Sequence, residues 1–160
     1  MGAAACGAVT GALAAPAGAV TIPGADGTQQ QVDQQIVHYG GTQTAPNEVS
    51  YQGGSVKVVF PVGVRAMAAA CPSGWYCFYE SKNFGGRRLQ FRDCGGTQYL
   101  TNYGFGNQTT SWQNTTKHTV YVYDNAATPP TYMWTEEPTT AALQVGETFD
   151  DRADSFYTGC

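Results

Sequence analysis

The most informative stretch of the chain is residues 71–86, Cys71-Pro-Ser-Gly-Trp-Tyr-Cys77-Phe-Tyr79-Glu-Ser-Lys-Asn-Phe84-Gly-Gly86. In it, Tyr79 is followed by four residues, then Phe84, one further residue and Gly86. A hairpin that folds back over its own sheet needs a residue with positive φ, which Gly86 can supply without Cβ strain. The two aromatic side chains would pack around that fold. Downstream, Ser111 lies where its hydroxyl group could hydrogen-bond to the hairpin backbone. The pattern predicts a folded β-hairpin at the start of a β-domain.

The composition favours the same fold class. Only 12% of the 160 residues are charged, whereas Gly and Tyr are plentiful. That mix favours short strands and tight turns over long helices. The best strand candidates are rich in aromatic or β-branched residues: residues 75–80, 87–92, 119–124 and 131–135. We predict an all-β domain, a Greek-key β-sandwich, over residues 71–160.

The first 19 residues have the composition of an export signal. The chain is Ala-rich over residues 3–15, and Ala17-Gly18-Ala19 fits a cleavage site of the A-x-A type. No Lys or Arg precedes Lys57, so the positively charged start of a signal is missing. We therefore predict a signal peptide over residues 1–19, incomplete at its start, and a secreted, extracellular protein. No window approaches the ~18 apolar residues of a membrane-spanning helix.

The cysteines fit an exported domain. Once residues 1–19 are removed, four cysteines remain, Cys71, Cys77, Cys94 and Cys160. An even number in a small exported domain predicts two disulfide bonds, and four cysteines allow three pairings. We prefer Cys71–Cys77 as a local bond and Cys94–Cys160 as a long one. The long loop would restrict the unfolded chain more, with a stabilisation of ~4 kcal/mol.

Residues 20–70 form a small N-terminal extension and linker. Residues 29–38 could form a short helix, with Val32, Ile36 and Val37 on one face and Gly40-Gly41 at its end. A hairpin should follow, with Gly53-Gly54 as its turn. Since this helix-plus-hairpin unit is too small to bury much core alone, we expect it to pack against the main domain. Residues 64–70 are Ala-rich and predict a linker.

The residues around Gly86 also carry a family resemblance. The chain resembles the βγ-crystallin-like secreted proteins of actinobacteria that form peptidase inhibitor family 36, whose type member inhibits metalloproteinases. The resemblance covers roughly residues 71–160. Its carriers are Cys71-Pro-Ser-Gly-Trp-Tyr-Cys77-Phe-Tyr-Glu, Asn83-Phe-Gly-Gly-Arg-Arg-Leu, Cys94, Thr110-Ser-Trp and Cys160. It implies an extracellular, non-enzymatic inhibitor whose partner is a protease.

The second half of the domain departs from the family pattern. Residues 121–130 should begin a second Greek key, but Pro129-Pro130 stands where a glycine-containing turn is expected. We therefore expect a degenerate second key.

Calcium is a related prediction. Some βγ-crystallin domains bind calcium through paired segments of the form N/D-N/D-x-x-S/T-S. Here residues 150–155 come closest, and calcium prefers hard oxygen ligands. The candidate ligands are Thr110, Asp150, Asp151 and Asp154. The alternative is a turn capped by its Asp side chains. No cofactor is required in either case.

Catalysis and nucleic-acid binding find little support. A nucleophile needs a base and an orienting group within reach, and the two histidines lie far apart in the sequence. Glu136 and Glu137 are adjacent, so on a strand they would point to opposite faces. The net charge of −4 argues against a nucleic-acid partner. We therefore predict that the protein is not an enzyme.

Our leading hypothesis is protease inhibition by a rigid exposed loop, in a protein that we expect to be a monomer. A loop held in an extended shape loses little entropy when it enters a protease cleft. The candidate is Thr128-Pro129-Pro130-Thr-Tyr132-Met133-Trp134, in which two prolines stiffen the approach. Tyr132 and Met133 would then contact the enzyme; the alternative is that Tyr132 and Trp134 are core residues of a strand. The competing hypothesis is a non-inhibitory structural or calcium-binding extracellular module.

Overall fold

The structure is a computed structural model that describes residues 1–2, 25–63, 70–92 and 95–159. In these ranges it has one α-helix, α1 (Ala25–Tyr39), and eleven β-strands. The strands are β1 (Thr42–Ala45), β2 (Glu48–Tyr51), β3 (Val56–Val59), β4 (Tyr76–Ser81), β5 (Gly85–Phe91), β6 (Gly96–Tyr99), β7 (Ser111–Asn114), β8 (Val120–Asp124), β9 (Thr131–Glu136), β10 (Ala141–Ala142) and β11 (Ser155–Thr158). No helix in the described part of the chain is long and apolar enough to span a membrane. The predicted fold class, all-β with a small helical extension, is confirmed.

The strands form two antiparallel sheets. The first sheet has the order β1-β2-β3-β5-β4-β7-β10 and the second has the order β6-β11-β8-β9. Alternate side chains of each sheet face inward and meet in one core. Phe156 of the second sheet lies 5.2 Å from Phe78 and 4.7 Å from Phe91 of the first, measured between ring centroids. The two sheets therefore pack as a β-sandwich with an aromatic centre.

The domain consists of two interlocked Greek keys, β4–β7 and β8–β11. In each key the third strand leaves its own sheet: β6 joins the second sheet and β10 joins the first. All four strands of the second key are present, although its β8–β9 turn lacks the glycine of the family pattern. Pairing depends on register and on burial of the inner face, and β8 and β9 pair without a glycine in the turn, with one register shift between Val122 and Tyr123.

Backbone hydrogen bonds show how closely the two keys correspond. The N–H of Thr110 donates to the carbonyl of Tyr79 at 2.9 Å, and the N–H of Asp154 donates to the carbonyl of Tyr123 at 3.0 Å. Tyr79 and Tyr123 thus occupy equivalent positions in the two keys. So do Ser111 and Ser155, which follow Thr110 and Asp154 in the chain.

The N-terminal extension is built onto the first sheet. β3 pairs with β5, from Val56 opposite Phe91 to Val59 opposite Arg88, so the predicted hairpin, β2 and β3, lengthens the sheet by two strands and β1 adds a third. The predicted helix is present as α1, and it buries Val32 and Gln35. Val37, expected on this face, is 79% exposed, because five residues of helix turn its side chain well away from Val32. Residues 3–24 and 64–69, which include most of the predicted signal and linker, lie outside the described residues.

Candidate functional site

The hairpin between β4 and β5 has the folded shape that its glycine predicts. Gly86 has φ +75°, and the rings of Tyr79 and Phe84 lie 5.3 Å apart. The hydroxyl group of Ser111 accepts a hydrogen bond from the N–H of Phe84 at 3.1 Å and donates one to the carbonyl of Ser81 at 2.6 Å. Phe84 itself has φ +60°, a conformation that the sequence pattern gave no reason to expect. The first key therefore has a rigid hairpin tied to its own fourth strand.

A disulfide bond covers the outer face of the first sheet beside this hairpin. Cys71 and Cys77 are bonded, with their Cα atoms 5.9 Å apart. Together with Trp75 they pack over Tyr79, which is fully buried. Cys94 and Cys160 lie outside the described residues.

The loop between β8 and β9, residues 125–130, belongs to the second sheet; the candidate inhibitory segment, residues 128–134, begins in this loop and continues into β9. Pro129 and Pro130 are exposed, and Tyr132, just beyond them in β9, is 53% exposed. Met133 is only 5% exposed and belongs to the core, while Trp134 packs against Phe149 and the core. The expectation that Met133 contacts a protease is therefore wrong, because a β-bulge between Val122 and Tyr123 shifts the register and turns Met133 inward.

The base of this loop is held by Asp124 and Arg152, which the sequence analysis did not single out, and by Asp154, which it named as a calcium ligand. Asp124 accepts a hydrogen bond from the N–H of Ala126 at 2.8 Å and pairs with Arg152 at 2.7 Å. The Ala126 N–H and the Arg152 guanidinium lower the pKa of Asp124, so the clamp stays charged in weak acid. The N–H of Asn125 donates to Asp154 Oδ2 at 3.1 Å. The loop is thus anchored both by Asp124 at the end of β8 and by Arg152 and Asp154, which precede β11.

The four predicted calcium ligands do not converge on one point. Thr110 Oγ1 lies 3.5 Å from Asp151 Oδ1, whereas Asp154 Oδ2 accepts a hydrogen bond from the N–H of Asn125. Asp150 Oδ1 is buried without a hydrogen-bond partner in the described structure. Burial and the neighbouring charge of Asp150 raise the pKa of Asp151. Among the described residues there is no group of three or more His, Cys, Asp or Glu side chains arranged to hold a metal ion.

The two adjacent carboxylates, Glu136 and Glu137, face opposite sides of β9 and its continuation. Glu136 is fully buried, and its Oε1 accepts a hydrogen bond from Trp134 Nε1 at 3.2 Å. Burial raises the pKa of Glu136 well above its usual range. Glu137 is exposed, so the two groups cannot act on one substrate as an acid and base.

The two interlocked Greek keys place the chain in the class of Greek-key β-sandwiches, here with an anchored, exposed loop between β8 and β9. Residues 64–135, a segment that ends within β9, match the model of peptidase inhibitor family I36. The similarity predicted from the sequence is confirmed over this segment, and the family is one of inhibitors rather than enzymes. No curated protein shows significant sequence similarity to the chain.

Two solved structures illustrate the structural similarity. One comes from work on the evolution of the eye lens βγ-crystallin domain fold; it is 15% identical and has a TM-score of 0.49, with 66% of this chain and 97% of that one covered. The other is a βγ-crystallin domain from Clostridium beijerinckii, 26% identical with a TM-score of 0.42. In that case 52% of this chain and 94% of the other are covered.

Proposed function

We propose that this protein is a secreted inhibitor of an extracellular protease, and that the β8–β9 loop is its contact with the enzyme. The observation that carries the proposal is the match of residues 64–135 to an inhibitor family, a segment that ends within β9 and includes the whole loop. A disulfide bond between Cys71 and Cys77 is in keeping with an oxidising, extracellular location. A metalloproteinase is the target that the sequence resemblance implies.

The loop has an ordered base, which is the property that a rigid inhibitor segment needs. Its base is fixed by the Asp124–Arg152 ion pair and by the hydrogen bond from Asn125 to Asp154. The prolines restrict the backbone of the exposed part. A segment that is already ordered loses little conformational entropy on binding, so more of the contact energy is retained as affinity. Pro129, Pro130 and Tyr132 are the exposed groups available for that contact.

The proposal is tested with the purified protein against a panel of metallo-, serine, cysteine and aspartic proteases. We expect inhibition of at least one enzyme at micromolar concentration, with the loop intact by mass spectrometry after incubation. Tyr132→Ala should weaken that inhibition about tenfold, the loss expected of one large interfacial side chain. Leu143→Ala is the matched control, because Leu143 is 57% exposed but lies on another loop.

Two results would contradict the proposal. Absence of inhibition across the whole panel would exclude a general inhibitor of these classes. Inhibition that responds to Leu143→Ala but not to Tyr132→Ala would move the contact away from the β8–β9 loop.

A second candidate function is a calcium-stabilised extracellular module. The observation that favours it is the 3.5 Å contact between Thr110 Oγ1 and Asp151 Oδ1, next to Asp150, whose Oδ1 is buried without a hydrogen-bond partner in the described structure. These groups and Thr110 fit calcium only in part, since calcium takes six to eight oxygen ligands. A melting temperature that rises with added calcium and falls with a chelator would support this candidate, because preferential binding stabilises the native state. An unchanged melting temperature would exclude it.

A further inference from the structure

The outer face of the second sheet carries five tyrosines, which we call the tyrosine face: Tyr99, Tyr121, Tyr123, Tyr132 and Tyr157. Four of them are 38–53% exposed, and Tyr123 is half-buried. They come from all four strands of the sheet. Isolated exposed tyrosines are ordinary, but a cluster of this size on one face is typical of a binding surface.

The strand register arranges these side chains in two rows. In one row Ser155 lies between Tyr99 and Tyr123, and Tyr132 follows beside Tyr123. In the other row Tyr157 lies between Thr97 and Tyr121, with Thr135 beyond. Every one of these eight positions therefore carries a hydroxyl group, and none is charged or aliphatic.

The equivalent position of the first sheet is covered by the chain itself. Tyr79, which corresponds to Tyr123, is fully buried beneath the Cys71–Cys77 disulfide and Trp75. On the second sheet no described segment packs over Tyr123 in this way, and a shallow cavity of about 360 Å³ is present. Tyr99, Tyr123 and Tyr157 line this cavity together with Asn125 and Ser155.

Several of the side chains are already held in place. The Tyr123 and Tyr132 rings meet edge to face with centroids 6.1 Å apart, and the Tyr132 hydroxyl lies 2.7 Å from Thr135 Oγ1. Ser155 Oγ lies 2.9 Å from Asn125 Oδ1. A ligand that contacts Tyr123, Tyr132 or Ser155 would meet side chains that already have partners, which lowers the entropic cost of binding there.

We propose that the tyrosine face binds an extended neutral glycan. Tyrosine offers an apolar ring and a polar hydroxyl, which match the C–H face and the hydroxyl groups of a pyranose ring. The absence of charge at these eight positions favours an uncharged ligand. Tyr99 and Tyr123 lie two strands apart, about 10 Å, a spacing close to the repeat of alternate sugars in an extended β-1,4-linked chain. The cavity between them would hold the intervening sugar.

A protein partner fits the face less well. Protein interfaces combine aromatic anchors with aliphatic packing and a polar rim that includes charges, and neither aliphatic nor charged groups occur at these eight positions. The glycan proposal does not depend on protease inhibition, although Tyr132 belongs to both surfaces. Glycan binding and inhibition can therefore be measured separately.

The test is isothermal titration of the purified protein with cellohexaose, chitohexaose and xylohexaose, with an anionic galacturonate hexamer as the charged comparison. We expect at least one neutral hexasaccharide to bind. Tyr99→Ala and Tyr157→Ala should each weaken binding about tenfold, as for loss of one stacking contact. The corresponding Phe variants should retain most of the affinity. Tyr39→Ala is the matched control, because Tyr39 is 44% exposed but lies on α1.

Thermal melts of each variant show whether it is folded. Because Tyr99 and Tyr157 are exposed, we expect both Ala variants to remain folded. Failure of all three neutral hexasaccharides to bind at millimolar concentration overturns the proposal. So does binding of the galacturonate alone, or binding that Tyr39→Ala reduces as much as Tyr157→Ala. Loss of protease inhibition in Tyr157→Ala without any glycan binding overturns it in favour of a protein-docking surface.

Discussion

The hydroxyl group of Ser111 connects the fourth strand of the first key to its hairpin, since it accepts a hydrogen bond from the N–H of Phe84 at 3.1 Å. It also donates to the carbonyl of Ser81 at 2.6 Å, and Ser111 is fully buried. Ser111→Ala leaves both backbone groups without this partner. We expect the free energy of unfolding to fall by about 1–3 kcal/mol, measured by urea denaturation.

Ser155 is the matched control for this prediction, because it is the equivalent residue of the second key. Its hydroxyl contacts the side chain of Asn125 rather than a hairpin backbone group. Ser155→Ala should therefore cost less, about 0.5–1 kcal/mol. If Ser111→Ala and Ser155→Ala lower the free energy of unfolding equally, the hydrogen bonds of Ser111 to the hairpin backbone stabilise the fold no more than an ordinary side-chain contact.

Gly86 supplies the second prediction. It has φ +75°, and a Cβ atom there would lie 2.9 Å from Glu80 Cβ, closer than such atoms can approach. Gly86→Ala should combine the left-handed backbone penalty of about 1–2 kcal/mol with a steric clash. The control is Gly74→Ala, since Gly74 has φ +80° but nothing within 4 Å of the added atom. Equal destabilisation of the two variants in urea would contradict the clash.

The first key was predictable because its determinants are local. The determinants lie within eight residues, namely Tyr79, Phe84 and Gly86. A single glycine at the right spacing is enough to indicate a position with positive φ. The four longest strands of the domain were also predictable from their aromatic and β-branched residues. By contrast, β10 has two residues, Ala141 and Ala142, and pairs only because β7 presents a free edge.

The missed features depend on contacts between distant segments. The bulge between Val122 and Tyr123 turns Met133 inward, and alternation alone does not specify a bulge. The Asp124–Arg152 clamp joins residues that only the second key brings together. The tyrosine face likewise unites four strands through topology, so no sequence window contains it.

The disulfide bonds give the third prediction. β6 and β11 pair with Gly96 opposite Thr158, two residues from Cys94 and from Cys160 respectively. Non-reducing proteolysis and mass spectrometry should therefore recover a peptide pair linked by Cys94–Cys160 as well as one linked by Cys71–Cys77. Replacing Cys71 and Cys77 by Ser should cost about 2 kcal/mol. A Cys77–Cys94 linkage, or free thiols at 94 and 160, would contradict the pairing.

Glu136 predicts a pH dependence of stability. Its carboxyl is fully buried and its pKa is raised by burial, whereas the unfolded chain releases this proton near pH 4.5. The native state therefore binds more protons than the unfolded state above that pH, and this group makes stability fall as pH rises toward the native pKa. Glu136→Gln should flatten the decline in melting temperature as the pH rises above about 4.5, where the unfolded chain releases the proton. Glu137→Gln, at the exposed neighbour, should leave the slope unchanged; a flatter slope there as well would mean that general charge is responsible.

Asp151 gives the last prediction, because its carboxyl is disfavoured in the charged form by burial and by Asp150. Since its pKa is raised above 3.8, ionisation costs stability at neutral pH. Asp151→Asn removes that cost, and Asn tolerates the φ of +53° at this position. Without calcium we expect a gain of a few tenths of a kcal/mol, about the size of a surface charge interaction.

If calcium binds beside Thr110, the native protein should melt higher with calcium and the variant should not respond. Asp33→Asn, at an exposed acid on α1, controls for net charge. Destabilisation by Asp151→Asn in chelator, or the same gain from Asp33→Asn, would contradict local repulsion at Asp151.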